Sequence, residues 1–357
     1  MNTSDSILTH WPLTVATSLP TSTSEGGNQA TTAVSGDSFP QHEAAETLWR
    51  VVPPFVLLCG TVGDVLTLLV MRAVGPAGAG GDQSTAVYLT SLALCDLAVL
   101  WLGLTRKWVK SVFRYDVRVA HAAVCKLHKF LVYTAGRVAA WILVAVTTQR
   151  VASVMWPLRQ GLRGTRKKAV SVVVAITAAC ASVDASHLAT YSLVRARSGR
   201  LVCGTSGGQG LGSLYNRKVY PWVNIALGSL LPLGLLLVNN VVLAWRVRQS
   251  LRLTRSMPTG AAQAGSRERK ASSLSVTLII TSVAFFLLTS SIPVGFFFQT
   301  FFLPRLPSSG RLQAMVEMAN AVLDLLWYCN SAVHFYLYCL TGARFRNVAR
   351  RLLCPAK

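Results

Sequence analysis

Several ionisable side chains of this chain stand inside long apolar stretches, namely Asp64, Asp96, Arg137, Asp184, His187 and Asp324. A charge in hydrocarbon is costly, so each is expected to find a partner or to face a polar cavity, and each is a functional candidate by its position. Arg137 and Asp184 fall on adjacent stretches at similar depth, which permits a buried ion pair. The alternative is that Arg137 faces a ligand pocket and receives an acidic group. Asp96 lies near the middle of its stretch, where a protonated, hydrogen-bonded carboxyl is one reading, and Asp64 is close enough in depth to share a proton with it. The sequence offers no His-rich metal cluster and no nucleophile–base arrangement, so an enzyme is not expected.

The elements that position these groups are membrane spans. The chain has 357 residues, is 52% hydrophobic and only 13% charged, too apolar for a soluble domain of that length. Its apolar residues come in seven blocks, 51–71, 85–104, 123–149, 169–194, 220–245, 274–303 and 314–340, each of the length that crosses a hydrocarbon core. Short connections make neighbouring spans antiparallel, so the expected fold is all-α, a seven-transmembrane helix bundle. Residues 1–49, rich in Ser, Thr, Gly and Ala, read as a disordered tail. They lack the pattern of a cleavable signal peptide, so the first span is expected to act as the targeting signal. Asn2 opens a glycosylation sequon, which favours an external N-terminus. The net charge of +22 is read as basic loops against anionic lipid headgroups rather than as a nucleic-acid surface.

Two landmarks bracket the third span. Cys125 opens it and Gln149-Arg150 closes it, roughly 37 Å apart at 1.5 Å per helical residue. The second span carries Leu92-Ala93-Leu94-Cys95-Asp96-Leu97, Pro232 and Pro293 interrupt the fifth and sixth, and the seventh ends Asn330-Ser331-Ala332-Val333-His334-Phe335-Tyr336 before an amphipathic stretch. Over residues 50–354 these motifs resemble the rhodopsin-like G-protein-coupled receptors. The last stretch is similar to invertebrate neuropeptide receptors of the FMRFamide-receptor type and to thyrotropin-releasing-hormone-like receptors.

The resemblance implies a receptor domain over 50–341, a short amphipathic eighth helix over 342–357, and a plasma-membrane protein with an extracellular N-terminus. A Cys125–Cys203 disulfide tying the third helix to the following external loop is expected, since both cysteines would meet an oxidising compartment. Arg150 is the expected contact for a heterotrimeric G protein, and Pro293 the pivot about which helix six tilts. Asp96 and Asn330 correspond to an allosteric sodium site, with no other cofactor implied. Phe345, Val348 and Leu352 would lay helix eight on the membrane, with Cys354 a palmitoylation candidate. The departures bear on switching. Asp64 replaces an asparagine, Gln149 an acid, Ser291 a tryptophan, Asn240 a tyrosine, Ser331 a proline and His334 a tyrosine, while Ala139 removes an oxygen from the sodium site. Gln149 cannot hold Arg150 by charge, and Ser273 stands where a helix-six acid would, so a weaker resting lock with raised basal signalling is expected.

Amine receptors carry an aspartate seven residues after the helix-three cysteine, where this chain has Val132, and no lysine serves a retinal Schiff base between Lys270 and Lys357. The segments flanking helix three and following helix four carry Arg106, Lys107, Lys110, Arg114, Arg118, Arg195, Arg197, Arg200, Arg217 and Lys218 against one acid, Asp116. That vestibule favours an anionic ligand, either a neuropeptide of acidic character or a small carboxylate, with Val132, Arg137, Asp184 and Asp324 as pocket candidates. Two rivals remain. A decoy of the same fold would bind without coupling, and an ion transporter would use the intramembrane charges, though no internal repeat supports it.

Overall fold

A computed structural model of the chain describes residues 39–74, 83–156, 165–196, 199–205, 211–255, 280, 283–306 and 309–341. The expectations for Asn2, Ser273, Phe345, Val348, Leu352, Cys354 and the eighth helix lie outside the described residues.

Seven long helices are described: α1 Pro40–Val74, α2 Gln83–Phe113, α3 Ala122–Met155, α4 Arg166–Thr190, α5 Tyr220–Arg246 and α6 Val283–Phe302, and α7 Gly310–Thr341. The first six are long and apolar enough to cross a membrane, and α7 carries Glu317 and Asp324 among its apolar residues. Helix α3 is the most buried of the six and packs against α2, α4 and α5. Leu92, Ile142, Leu143, Val146, Leu236 and Phe285 form the core around it. Facing outward are Phe55, Leu58, Val174, Leu237, Val238, Val241, Leu287 and Val294. In water such a coat would drive aggregation, whereas in a bilayer it is the lipid-solvated surface.

The helix ends differ from the apolar blocks for identifiable reasons. Helix α1 starts eleven residues before its apolar block, inside the segment expected to be a disordered tail. Pro40 suits a first helical turn, Leu48 and Trp49 pack on the cluster of Leu100, Leu104 and Tyr328, and Glu46 pairs with Arg50 at 3.1 Å and Arg114 at 2.7 Å. Helix α2 runs on to Phe113, so Arg106, Lys107 and Lys110 are helical residues and not a loop. Arg114 then stops the helix in the left-handed region at φ 54°. Helix α4 ends at Thr190 because the next residues pair as strands, β1 Tyr191–Arg195 and β2 Leu201–Thr205. The block pattern concealed this antiparallel hairpin, in which Leu193 faces Cys203. Cys203 is joined to Cys125 at the start of α3, with a Cα–Cα distance of 5.6 Å.

Prolines interrupt two helices as expected, and both Pro232 and Pro293 are buried. In α5 a π-helical segment, Ala226–Leu230, precedes Pro232, absorbing the hydrogen bond that proline cannot donate. Helices α1 and α7 pack along one another, and small residues permit their close approach. A Cβ built on Gly63 would sit 2.9 Å from Cβ of Phe335, and one on Gly60 would sit 3.2 Å from the Ala332 backbone. Gly63→Val should therefore destabilise the bundle by about 1–3 kcal/mol, read as a lower thermal midpoint of the detergent-purified protein. An unchanged midpoint would show that this contact is loose.

Candidate functional site

Helix α3 presents its functional side chains on one face. From Cys125, steps of three, four, eight, eleven and twelve residues lead to His128, Lys129, Tyr133, Gly136 and Arg137, repeats that recur on one side of a helix. With Val132 they line a cavity of about 160 Å³ beneath the hairpin, closed by Arg106 and Lys107 of α2, Arg118, Asn224 and Gly228 of α5, and Asp324, Trp327 and Tyr328 of α7. Of the pocket candidates, Val132, Arg137 and Asp324 line it. Asp184 stands behind Arg137 instead.

The two readings of Arg137 prove compatible. Its Nη2 donates to Asp184 Oδ1 at 2.8 Å and to Asn224 Oδ1 at 3.0 Å, and Nε donates to Asp184 Oδ2 at 3.2 Å. Tyr220 Oη donates to Asp184 Oδ1 at 2.8 Å and Thr134 Oγ1 to Oδ2 at 3.3 Å. Arg137 and Asp184 are 3% and 0% exposed, so this is a buried pair whose acid is well supplied with donors. Arg137 Nη1 has no hydrogen-bond partner and lies 3.5 Å from where a Cβ on Gly228 would stand, at the cavity floor. One arm of the guanidinium is structural, and the other is buried without a partner on a residue that lines the cavity.

The remaining cations divide by partner. Lys107 pairs with Asp324 and lies 4.7 Å from the Trp49 ring, an attraction of the cation–π kind. Asp116 holds Arg106 at 2.9 Å and Arg118 at 2.7 Å. Burial alone would raise the Asp116 carboxyl, but the hydrogen bonds of Arg118 and the charges of Arg106 and Arg118 hold it well below the usual carboxylate range. Its contribution to stability is therefore present at neutral pH and is lost only as pH falls through that lowered pKa. Lys129 has its Nζ 5.1 Å from the Tyr133 ring and 5.2 Å from the Tyr191 ring, with no carboxylate paired to it among the described residues. His187 is buried against Tyr133, Tyr191 and Tyr220 at centroid distances of 5.0, 5.1 and 4.4 Å, an edge-to-face packing role.

Lys129, Tyr133, Asn224, Trp327 and Tyr328 were not among the expected site residues. Following the face of helix three on from Val132 would have found Lys129 and Tyr133. Trp327 and Tyr328 had a weaker signal, their position within one turn of Asp324.

At mid-bundle, His334 Nδ1 lies 2.7 Å from Asp96 Oδ2, both groups buried. Asp96 Oδ1, Asp64 Oδ2 and Asn330 Oδ1 lack hydrogen-bond partners. A cavity of about 20 Å³ adjoins Ala139, Asn330, Ser331 and His334, room for a single water. A hard cation wants a shell of several oxygens. Here imidazole occupies one Asp96 oxygen and Ala139 contributes a methyl group, so the residues present do not fit the expected sodium site.

At the opposite end of α3, Gln149 Nε2 donates to Ser84 Oγ and Arg150 Nη2 to Thr85 Oγ1, both on α2. Asn239 of α5 donates to Thr148 Oγ1 at 2.8 Å and Thr147 Oγ1 at 3.3 Å. Hydroxyls on α2 and an amide on α5 thus contact this end of α3.

Seven long helices, with a disulfide tying the hairpin to the start of α3, agree with the expected receptor fold. The family description "7 transmembrane receptor (rhodopsin family)" matches residues 68–338, and the chain belongs to that family. It is a multi-pass membrane receptor and not an enzyme. Among curated proteins it is similar to galanin receptor type 3 of Mus musculus, at 26% identity over 85% of this chain and 77% of that receptor. Galanin receptor 2a of Danio rerio is 23% identical over 82% of this chain and 74% of that receptor. Galanin receptor type 3 of Homo sapiens is 29% identical, over 41% of this chain and 39% of that receptor. These relatives support the broad family and leave the FMRFamide-type likeness as an expectation from the helix-seven motif.

Removing one member of a buried pair strands the other, at about 3–5 kcal/mol. Asp184→Asn should accordingly cut surface expression and lower the thermal midpoint, through loss of the charge facing Arg137. Normal expression and an unchanged midpoint in this variant would mean that Arg137 does not need Asp184.

Proposed function

We propose that the chain is a plasma-membrane receptor, N-terminus outside, that binds an extracellular peptide and activates a heterotrimeric G protein. The observation that carries this reading is the layout of α3. Its hairpin end enters a cation-lined cavity, and its other end presents Arg150 beside polar neighbours on α2 and α5. The relatives are receptors for galanin, a neuropeptide, which supports a peptide ligand.

An acidic ligand is favoured by charge. Five cations line the cavity (Arg106, Lys107, Arg118, Lys129 and Arg137), whereas three carboxylates pair with them (Asp116, Asp184 and Asp324). Ligand binding would shift the bundle toward a form in which α6 tilts about Pro293 and uncovers Arg150. Such a shift requires only that the ligand bind this open form more tightly than the closed one. Gln149 stands where an acid would hold Arg150 by charge, so basal activity is expected.

The decoy and transporter readings gain no such support. Either would leave the Arg150 end without a role.

Two measurements test the proposal. In a cell-based G-protein dissociation assay without added ligand, the wild type should show basal signal that Arg150→Ala abolishes at equal surface expression. A signal that survives in the variant would contradict the coupling role of Arg150. In a screen of acidic peptides against their Asn/Gln counterparts, neutralisation should cost at least about tenfold in potency, or ~1.4 kcal/mol. Equal potency would remove the acidic ligand and leave the receptor reading standing.

A further inference from the structure

The cavity beneath the hairpin has a floor and a wall of different chemistry. At the floor is Arg137 Nη1, on a side chain 3% exposed and without a hydrogen-bond partner. Its guanidinium is held rigidly, because Nε and Nη2 are committed to Asp184 and Asn224. A fixed, always-charged donor that is buried is costly unless an acceptor meets it. A guanidinium favours carboxylate, whose oxygens match its planar geometry. The wall is apolar and aromatic, formed by Val132, Tyr133, Trp327 and Tyr328. Its volume, about 160 Å³, is close to the roughly 150 Å³ of a cavity that binds benzene, so one ring-sized group fills it.

Lys129 stands two helical turns above Arg137 on the same face of α3, with its ammonium between two tyrosine rings and no paired carboxylate among the described residues. It offers a second nitrogen donor to an anion in the cavity.

We infer that this cavity is a carboxylate subsite. It takes a single ring-sized apolar group bearing a free carboxylate, which docks on Arg137 Nη1 while the body packs on the aromatic wall. This inference rests on the receptor reading for the cavity's role and narrows "acidic ligand" to one group. The carboxylate has two sources, the free C-terminal residue of a peptide or a small organic acid, and the probes below separate them.

The experiment measures the thermal stability of the full-length receptor purified in detergent, against matched pairs of probes. One pair is 3-phenylpropionate and its primary amide, and the other is a tetrapeptide ending in phenylalanine as the free acid and as the C-terminal amide. Each acid that enters the site should raise the thermal midpoint while its amide does not, and acetate, lacking the ring, should fall well short. Stabilisation by the small acid as well as the peptide acid shows that the subsite suffices alone, whereas stabilisation by the peptide acid only identifies a peptide C-terminus as the source.

Arg137→Lys keeps a charge for Asp184 but loses the spare arm, so it should weaken the effective acid by at least about tenfold. Lys129→Gln, which breaks no ion pair described here, should weaken it in the same direction and guards against a folding defect in the first variant. The inference is overturned if amides stabilise as well as acids, if neither acid stabilises, or if both variants respond like the wild type. Basal G-protein dissociation, measured separately, reports on the receptor reading, so a failed subsite and a failed receptor are distinguishable.

Discussion

The buried pair of Arg137 and Asp184 is the interaction on which the upper half of the bundle depends. It joins α3 to α4 directly and draws in α5 through Tyr220 and Asn224. Neither charge could be buried alone at tolerable cost, so three helices are obliged to meet at one depth. The same geometry leaves the other arm of the guanidinium without a partner. One side chain thus both joins three helices and lines the cavity.

From that pair the rest of α3 extends in two directions. Toward the hairpin, the disulfide at Cys125 closes the vault over Lys129 and Tyr133. Toward the other end, the helix passes the Asp96–His334 contact between α2 and α7 and reaches Gln149 and Arg150, which are held by hydroxyls on α2. The bundle thus has a buried ionic clamp beside the cavity and hydroxyl and amide contacts at the far end of α3.

Much of this was legible in the sequence. The seven apolar blocks, the Cys125–Cys203 link and the Arg137–Asp184 pair could all be read, because hydrocarbon makes both apolar length and stray charge conspicuous. What escaped had weaker local signals. The first hairpin strand, Tyr191–Arg195, overlaps the end of an apolar block and is hidden by it, and the start of α1 is fixed by contacts of Glu46, Leu48 and Trp49 with distant segments. His334 was recognised as an unusual residue, but its contact with Asp96 joins positions 238 residues apart. Likewise Asp324 was a pocket candidate by type, and its lysine partner lies 217 residues away. Lys129 has a weak signal because it lies close to the start of the third apolar block, where a basic residue is unremarkable.

The measurement that tests the central claim most directly is a double-mutant cycle across the pair, using the thermal midpoints of the purified wild type, Arg137→Met, Asp184→Leu and the double variant. The account predicts that each single variant is strongly destabilised by the charge it strands, while the double variant recovers much of the loss, since two apolar side chains can replace a buried pair. Additive losses, with the double variant the least stable of the four, would contradict the claim that this pair organises the bundle.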